Sequence, residues 1–216
     1  MAQDARQAGV WHSRLCVLVA APLVLVVVDA HAQSAERPIW KVGNLWAYHA
    51  VGGLPPAESR WSREVTESRA DGNFSVRTET GRALVFDGET NSLDRRGPEY
   101  SWKRFSFPLS VGKRWTHSRK LASGSTDGTE RATWEVKAFE KLTVPAGTFD
   151  CFRVEGVVWQ SWTPAIYGPW TSHEDATYWY CPDVKWVAKW KSHRAASPGS
   201  PYIDSESVLT SFSAAD

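Results

Sequence analysis

Beyond residue 32, apolar and polar residues alternate with a period of two along most of the chain, and convincing amphipathic helices at the 3.6-residue spacing are absent. Trp134, Val136, Ala138, Leu142 and Val144 point one way, while Glu135, Lys137, Lys141 and Thr143 point the other; Glu140 is the exception on the apolar side. Val184, Trp186, Ala188 and Trp190 oppose Lys185, Lys189 and Lys191 in the same manner, with Val187 as the exception. Shorter runs of this kind surround Trp46, Trp61, Phe74, Tyr178 and Val208, and turn signals such as GGLPP, ADGN, DGET, STDGT and ASPGSP separate them. The pattern predicts an all-β, antiparallel fold: a strongly curved sheet or open barrel of roughly eight to eleven strands.

The segment TVPAGTFDC, Thr143 to Cys151, predicts one hairpin in detail. Pro145 and Ala146 suit the centre of a type I turn and Gly147 a left-handed position after it, giving a three-residue loop with a bulge. Strand 133–144 then folds back on strand 148–160, with Cys151, Arg153, Glu155, Val157 and Trp159 on one face and Phe152, Val154 and Val158 on the other. Cys151 thus belongs to the more polar face. VGNLW (Val42 to Trp46) and VGKRW (Val111 to Trp115) echo each other, which reads as one local solution used twice.

Arg6 and Arg14, the 14-residue apolar run Leu15 to Val28 and the sequence Ala30-His31-Ala32 form a secretory signal peptide over residues 1–32, with cleavage expected after Ala32. The run would span roughly 21 Å as a helix, short of the hydrocarbon layer, so no transmembrane span is expected after cleavage. An uncleaved anchor is the alternative. Residues 33–216 form a single β-rich domain that is periplasmic or secreted. Without Arg6, Arg14, Asp4 and Asp29, the domain carries 23 Lys and Arg against 22 Asp and Glu, interspersed, so nucleic acid is excluded as a partner. In an oxidising compartment Cys151 and Cys181 are expected to form a disulfide; the alternative is two separately buried thiols.

Chemistry-bearing motifs are sparse. His49, His117, His173 and His193 make no metal-ligand spacing, and His173-Glu174-Asp175 alternates faces if it lies in a strand. No nucleophile elbow, phosphate-binding glycine loop or Cys-x-x-Cys occurs, so neither a metal nor a cofactor is expected. Tryptophan is the conspicuous excess. Trp159, Trp162, Tyr167 and Trp170 flank the turn-rich stretch WQSWTPAIYGPW and are the candidate ligand-binding residues, set against the alternative that they pack in the core. Lys185, Lys189 and Lys191 in KWVAKWKSHR read either as a surface for anionic envelope components or as a solvated or lysine-guarded edge.

Taken together, VGNLWAY, FPLSVGKRW, LTVPAGTFDCFRVE and TYWYCPDVKWVAKW resemble the TapB-like group of exported bacterial domains of unknown function. That resemblance implies an exported, β-rich envelope domain and brings no reaction and no catalytic residues. Where such members have a turn like PGVG, this chain has Pro182-Asp183-Val184-Lys185, implying a different turn. The expected role is a non-enzymatic, envelope-associated β-domain that binds an apolar or lipidic ligand or an envelope partner. A carbohydrate-binding module using exposed tryptophans is the alternative, and a hydrolase with a dispersed triad a more distant one.

Overall fold

The computed structural model describes residues 33–164, 168–195 and 199–215. Its strands are β1 (Ser34–Ala35), β2 (Leu45–Gly52), β3 (Ala57–Ser68), β4 (Phe74–Thr78), β5 (Ala83–Phe86), β6 (Ser92–Leu93), β7 (Leu109–Ser110), β8 (Arg114–Ser123), β9 (Thr126–Val144), β10 (Gly147–Thr163), β11 (Trp170–Cys181), β12 (Trp186–Ala195) and β13 (Tyr202–Ser213). β1 pairs with β7; the other eleven form one antiparallel sheet in the order β6-β5-β4-β3-β2-β13-β12-β11-β10-β9-β8. Two meanders, β2 to β6 and β8 to β13, are thereby joined through the β2–β13 pair. No helix among the described residues is long and apolar enough to cross a membrane.

The sheet is rolled. Trp102 donates its backbone N–H to the Ser92 carbonyl of β6 at 3.0 Å, and the adjacent Ser101 carbonyl lies 2.9 Å from Nε2 of His117 on β8. Laid flat, the first and eleventh strands would stand about 48 Å apart. Consecutive residues can reach both only if the two edges curl toward each other, so the fold is an open barrel whose seam is spanned by the segment 94–108. Arg96 adds a second tie across the seam, donating to the Ala122 carbonyl at 2.9 Å.

Aromatic side chains fill the space inside. Trp40, Trp46, Phe74, Phe86 and Trp186 form one cluster, with ring centroids 4.9 to 6.1 Å apart. Their polar atoms are also used: Trp40, Trp46 and Tyr48 donate to the carbonyls of Lys185, Val184 and Val187 at 2.7 to 2.9 Å, fixing the β11–β12 turn. Lys185 sits there at φ 60°, the left-handed conformation that glycine adopts most readily. Phe105, carried on the seam segment, packs on Phe107, Tyr178 and Tyr180.

Two bulges explain the exceptions in the alternation. At Arg153/Val154 the β9–β10 register slips by one residue, so Phe139 turns inward onto Phe152, and Glu140, Leu142 and Val144 share the opposite face rather than that of Trp134 and Val136; there Glu140 accepts from Trp179 Nε1 at 2.8 Å. A second slip, between Trp179 and Tyr180, accompanies the Val187 exception. The 145–147 hairpin differs from expectation in its loop length: Val144 pairs with Gly147, leaving a two-residue loop, and Gly147 takes its positive φ, 141°, inside the ladder. The strand β12 is internal rather than an edge, and Lys189 and Lys191 both pair with Glu206 of β13 at 3.2 and 3.1 Å, so the lysine face carries its own counter-charge.

The Cys151–Cys181 disulfide joins the neighbouring strands β10 and β11 on the face opposite Phe152 and Tyr180. The repeated glycine-aromatic entries have the same bonding. Gly43 and Asn44 pair with Val65, and Gly112 and Lys113 with Val136, through one N–H and one C=O each.

Glycine opposite tryptophan recurs across β9 and β10. Trp134 pairs with Gly156 and Trp162 with Gly128, and in each case the indole covers the glycine where a Cβ would stand. Gly156→Val should therefore lower unfolding free energy by roughly 2 to 3 kcal/mol through overpacking against Trp134, read as a lower urea midpoint; an unchanged midpoint would contradict this packing.

Candidate functional site

The seam segment has no strand of its own, so its backbone needs partners from elsewhere. Asn91, 3% exposed, supplies them: its Oδ1 accepts from the N–H groups of Arg104 and Phe105, both at 2.8 Å, and its Nδ2 donates to the Phe105 carbonyl at 3.0 Å. Glu89 accepts from the Phe107 N–H at 3.0 Å and pairs with Lys103 at 3.3 Å. Between them Thr90 is held at φ 65°, an unfavourable region for a β-branched residue. The turn at 87–91 thus clamps the segment and aims Trp102 and Arg104 into the barrel.

A cleft of about 280 Å³ opens where these two side chains face the sheet. Its aromatic walls include Trp61, Trp102, Tyr178 and Trp190, and its charged groups are Arg63 of β3, Arg104, Arg194 of β12 and Glu174 of β11. Strand alternation places each sheet residue: Trp61, Arg63 and Val65 share a face of β3, and Glu174, Ala176 and Tyr178 share a face of β11. The guanidinium of Arg104 lies 4.3 Å from the ring centroids of both Trp102 and Tyr178. That of Arg63 lies 5.2, 5.4 and 5.9 Å from Trp61, Phe86 and Trp186.

These cations lack counter-charges in contact. Among the described residues, Arg63, Arg104 and Arg194 form no ion pair within 4.0 Å. Burial first, and then the neighbouring Arg104 charge, bring Arg63 down to about 10, which still leaves it protonated at neutral pH. Glu174 is pushed up by burial, an effect that the Arg194 charge partly offsets and Glu130 reinforces. Two N–H donors at the cleft, Trp102 Nε1 and Arg104 Nε, are buried without an acceptor. Unmet donors of this kind cost about 1 to 3 kcal/mol each, and three guanidiniums facing one carboxylate leave the site electropositive.

Next to the cleft, Arg119 and Glu130 form a bidentate pair with both contacts at 2.8 Å, and Gln160 donates to Glu130 at 2.9 Å. Glu130 is 3% exposed, so this pair is internally satisfied. Gln160 in turn accepts from Ser172 at 3.3 Å and from Trp162 Nε1 at 3.4 Å.

The sequence-predicted aromatic residues are divided by strand alternation. Trp162 and Trp170 face each other across β10 and β11, with ring centroids 5.9 Å apart and planes at 24°, on the side of Gln160 and Ser172. Trp159, 53% exposed, points to the opposite face and packs on His173 at 4.5 Å. Tyr167 lies outside the described residues. The arginines were not singled out from sequence, although the inward parity of Arg63 and Arg194 was available; Arg104 lies in a segment without periodicity and left no such signal.

No protein-family model matches the chain, and no curated protein matches it. Among solved structures, a Parabacteroides distasonis protein classed as a lipoprotein is similar over 84% of this chain and 100% of its own, at 12% identity and a TM-score of 0.47. An exported protein of YmcC-like fold from Bacteroides fragilis covers 83% and 99%, at 12% identity and 0.42. The hypothetical lipoprotein YmcC of Escherichia coli covers 78% and 83%, at 13% and 0.41. At such scores nothing transfers between the chains, and the chemistry of the cleft follows from its own residues.

Removal of the clamp should be visible directly. Asn91→Ala leaves two buried N–H groups unpaired and should cost about 2 to 3 kcal/mol, with faster tryptic cleavage at Lys103 and Arg104; wild-type resistance at both sites would contradict the clamp.

Proposed function

We propose that the chain is an exported, non-catalytic β-domain of the cell envelope that holds an oxyanion-bearing ligand in the cleft between Arg63, Arg104 and Arg194. The observation that carries this reading is that three guanidiniums without contacting carboxylates line one cleft. Carboxylate, phosphate or sulfate oxygens would neutralise the guanidinium charge at the cleft, whereas a purely apolar ligand would leave it uncompensated. The expectation of an apolar or lipidic ligand is thereby shifted toward an anionic one with a body that fits aromatic walls. The cleft lies at the small end of ligand sites, which run roughly 300 to 1,000 Å³, and so matches a single head group or ring.

The signal-peptide pattern and the cross-strand disulfide support export. The cleft's charged groups are three guanidiniums and one carboxylate, a set suited to holding a charged ligand.

Sulfate is the simplest probe, because it keeps its charge throughout the working pH range. Titration of the processed chain with sulfate should change tryptophan fluorescence saturably, and Arg104→Gln should weaken binding by about tenfold or more; no saturable change with wild type would reject the proposal.

The pH dependence follows from Glu174. Above its raised pKa the carboxylate is ionised and repels the ligand; below it the group is neutral, so sulfate affinity should rise as pH falls through that raised pKa. Glu174→Gln should flatten that profile, and an affinity that falls on acidification would contradict the assignment.

A further inference from the structure

Beside the cleft lies a second compartment of about 430 Å³, and Arg194 lines both. Trp162 and Trp170 form its aromatic side, nearly parallel at 24°. Gln160 and Ser172 form the polar side, already linked to each other and, through Glu130, to Arg119. The Trp162 indole is braced from behind by Gly128, with ring carbons 3.0 and 3.1 Å from where a Cβ would stand, so this platform has a fixed position.

The two compartments differ in chemistry. One has uncompensated positive charge and unmet donors; the other has flat aromatic surface bordered by an amide and hydroxyls. A ligand that uses both must carry an anionic group at one end and, next to it, a unit with an apolar face and hydroxyl edges. Sugar rings combine these features: their C–H faces stack on indoles, and their hydroxyls hydrogen-bond amides and serines.

We infer that the ligand is an acidic oligosaccharide whose charged residue occupies the Arg63–Arg104–Arg194 cleft while a neighbouring sugar lies on the Trp162–Trp170 platform. This rests on the oxyanion reading of the cleft and adds the class of molecule. Phosphatidylglycerol shares the charged group but has no hydroxylated ring for the platform's polar border, and its acyl chains would meet Gln160, Ser172 and Arg194.

The test uses the processed full chain and four probes, measured by calorimetry: glucuronate, a tetrasaccharide alternating glucuronate with N-acetylglucosamine, the same tetrasaccharide with its carboxyls reduced, and phosphatidylglycerol vesicles. The tetrasaccharide should bind at least tenfold more tightly than glucuronate, and its carboxyl-reduced form at least tenfold more weakly than the intact one. Trp170→Ala should collapse the advantage of tetrasaccharide over monosaccharide; Trp170→Phe, which keeps a ring at the site, should retain part of it and serves if the alanine variant does not fold. Equal affinity for tetrasaccharide and glucuronate, or an advantage untouched at Trp170, would overturn the saccharide assignment while sulfate binding left the oxyanion reading standing. Vesicle binding with silent saccharides would overturn it in favour of lipid. Failure of every anion, sulfate included, would remove the oxyanion reading itself.

Discussion

A sheet of eleven strands that rolls until its first and last strands approach must either pair those edges or cover them, because each presents backbone groups that otherwise need water or another chain. Here they are covered. The segment 94–108 bonds to Ser92 on one side and to His117 and Ala122 on the other, and the rest of the architecture depends on that crossing. It places Phe105 against Tyr178 and Tyr180 as part of the core, and in the same stroke brings Trp102 and Arg104 to face the sheet. Stability and the cleft therefore share one device: the buried amide of Asn91, standing in for a strand that the segment does not have.

The barrel's interior is apolar and aromatic around Trp46 and Trp186 and polar around Glu130 and Glu174. Where the polar part is internally paired, as in Arg119–Glu130–Gln160, it reads as structure. Where it is not, as at Arg63 and Arg104, packing against aromatic faces recovers only part of what burial of the charge costs, since a cation–π contact contributes about 0.5 to 2 kcal/mol. That contrast, between a satisfied ion pair and cations without contacting carboxylates facing the same interior, is what the proposed site rests on.

Much of the fold was legible because strand alternation is a local property. The all-β class and the antiparallel pairing of strand 133–144 with strand 148–160 followed from parity and turn chemistry, and the Cys151–Cys181 bridge was expected from an oxidising compartment. What parity could not supply were the bulge that moves Glu140 outward and Phe139 inward, and the loop length at Gly147, whose positive-φ glycine stands in the ladder rather than in the loop. The candidate site was less legible. Trp162 and Trp170 stand together, but Trp159 was grouped with them by closeness in sequence and lies on the other face, which an odd separation along one strand already implied. Arg104 could not be found in this way, since it reaches the cleft through a non-periodic segment whose position is decided by a side chain, Asn91, thirteen residues earlier.

The most direct test of this account is a crystal structure of the processed chain grown in sulfate. The account predicts an ordered anion in the cleft within hydrogen-bond distance of the Arg104 guanidinium, with Arg63 and Arg194 turned toward it and the 94–108 segment seated on Asn91. A segment lifted from the seam, or Arg104 bonded to a protein carbonyl with no anion beside it, would contradict it.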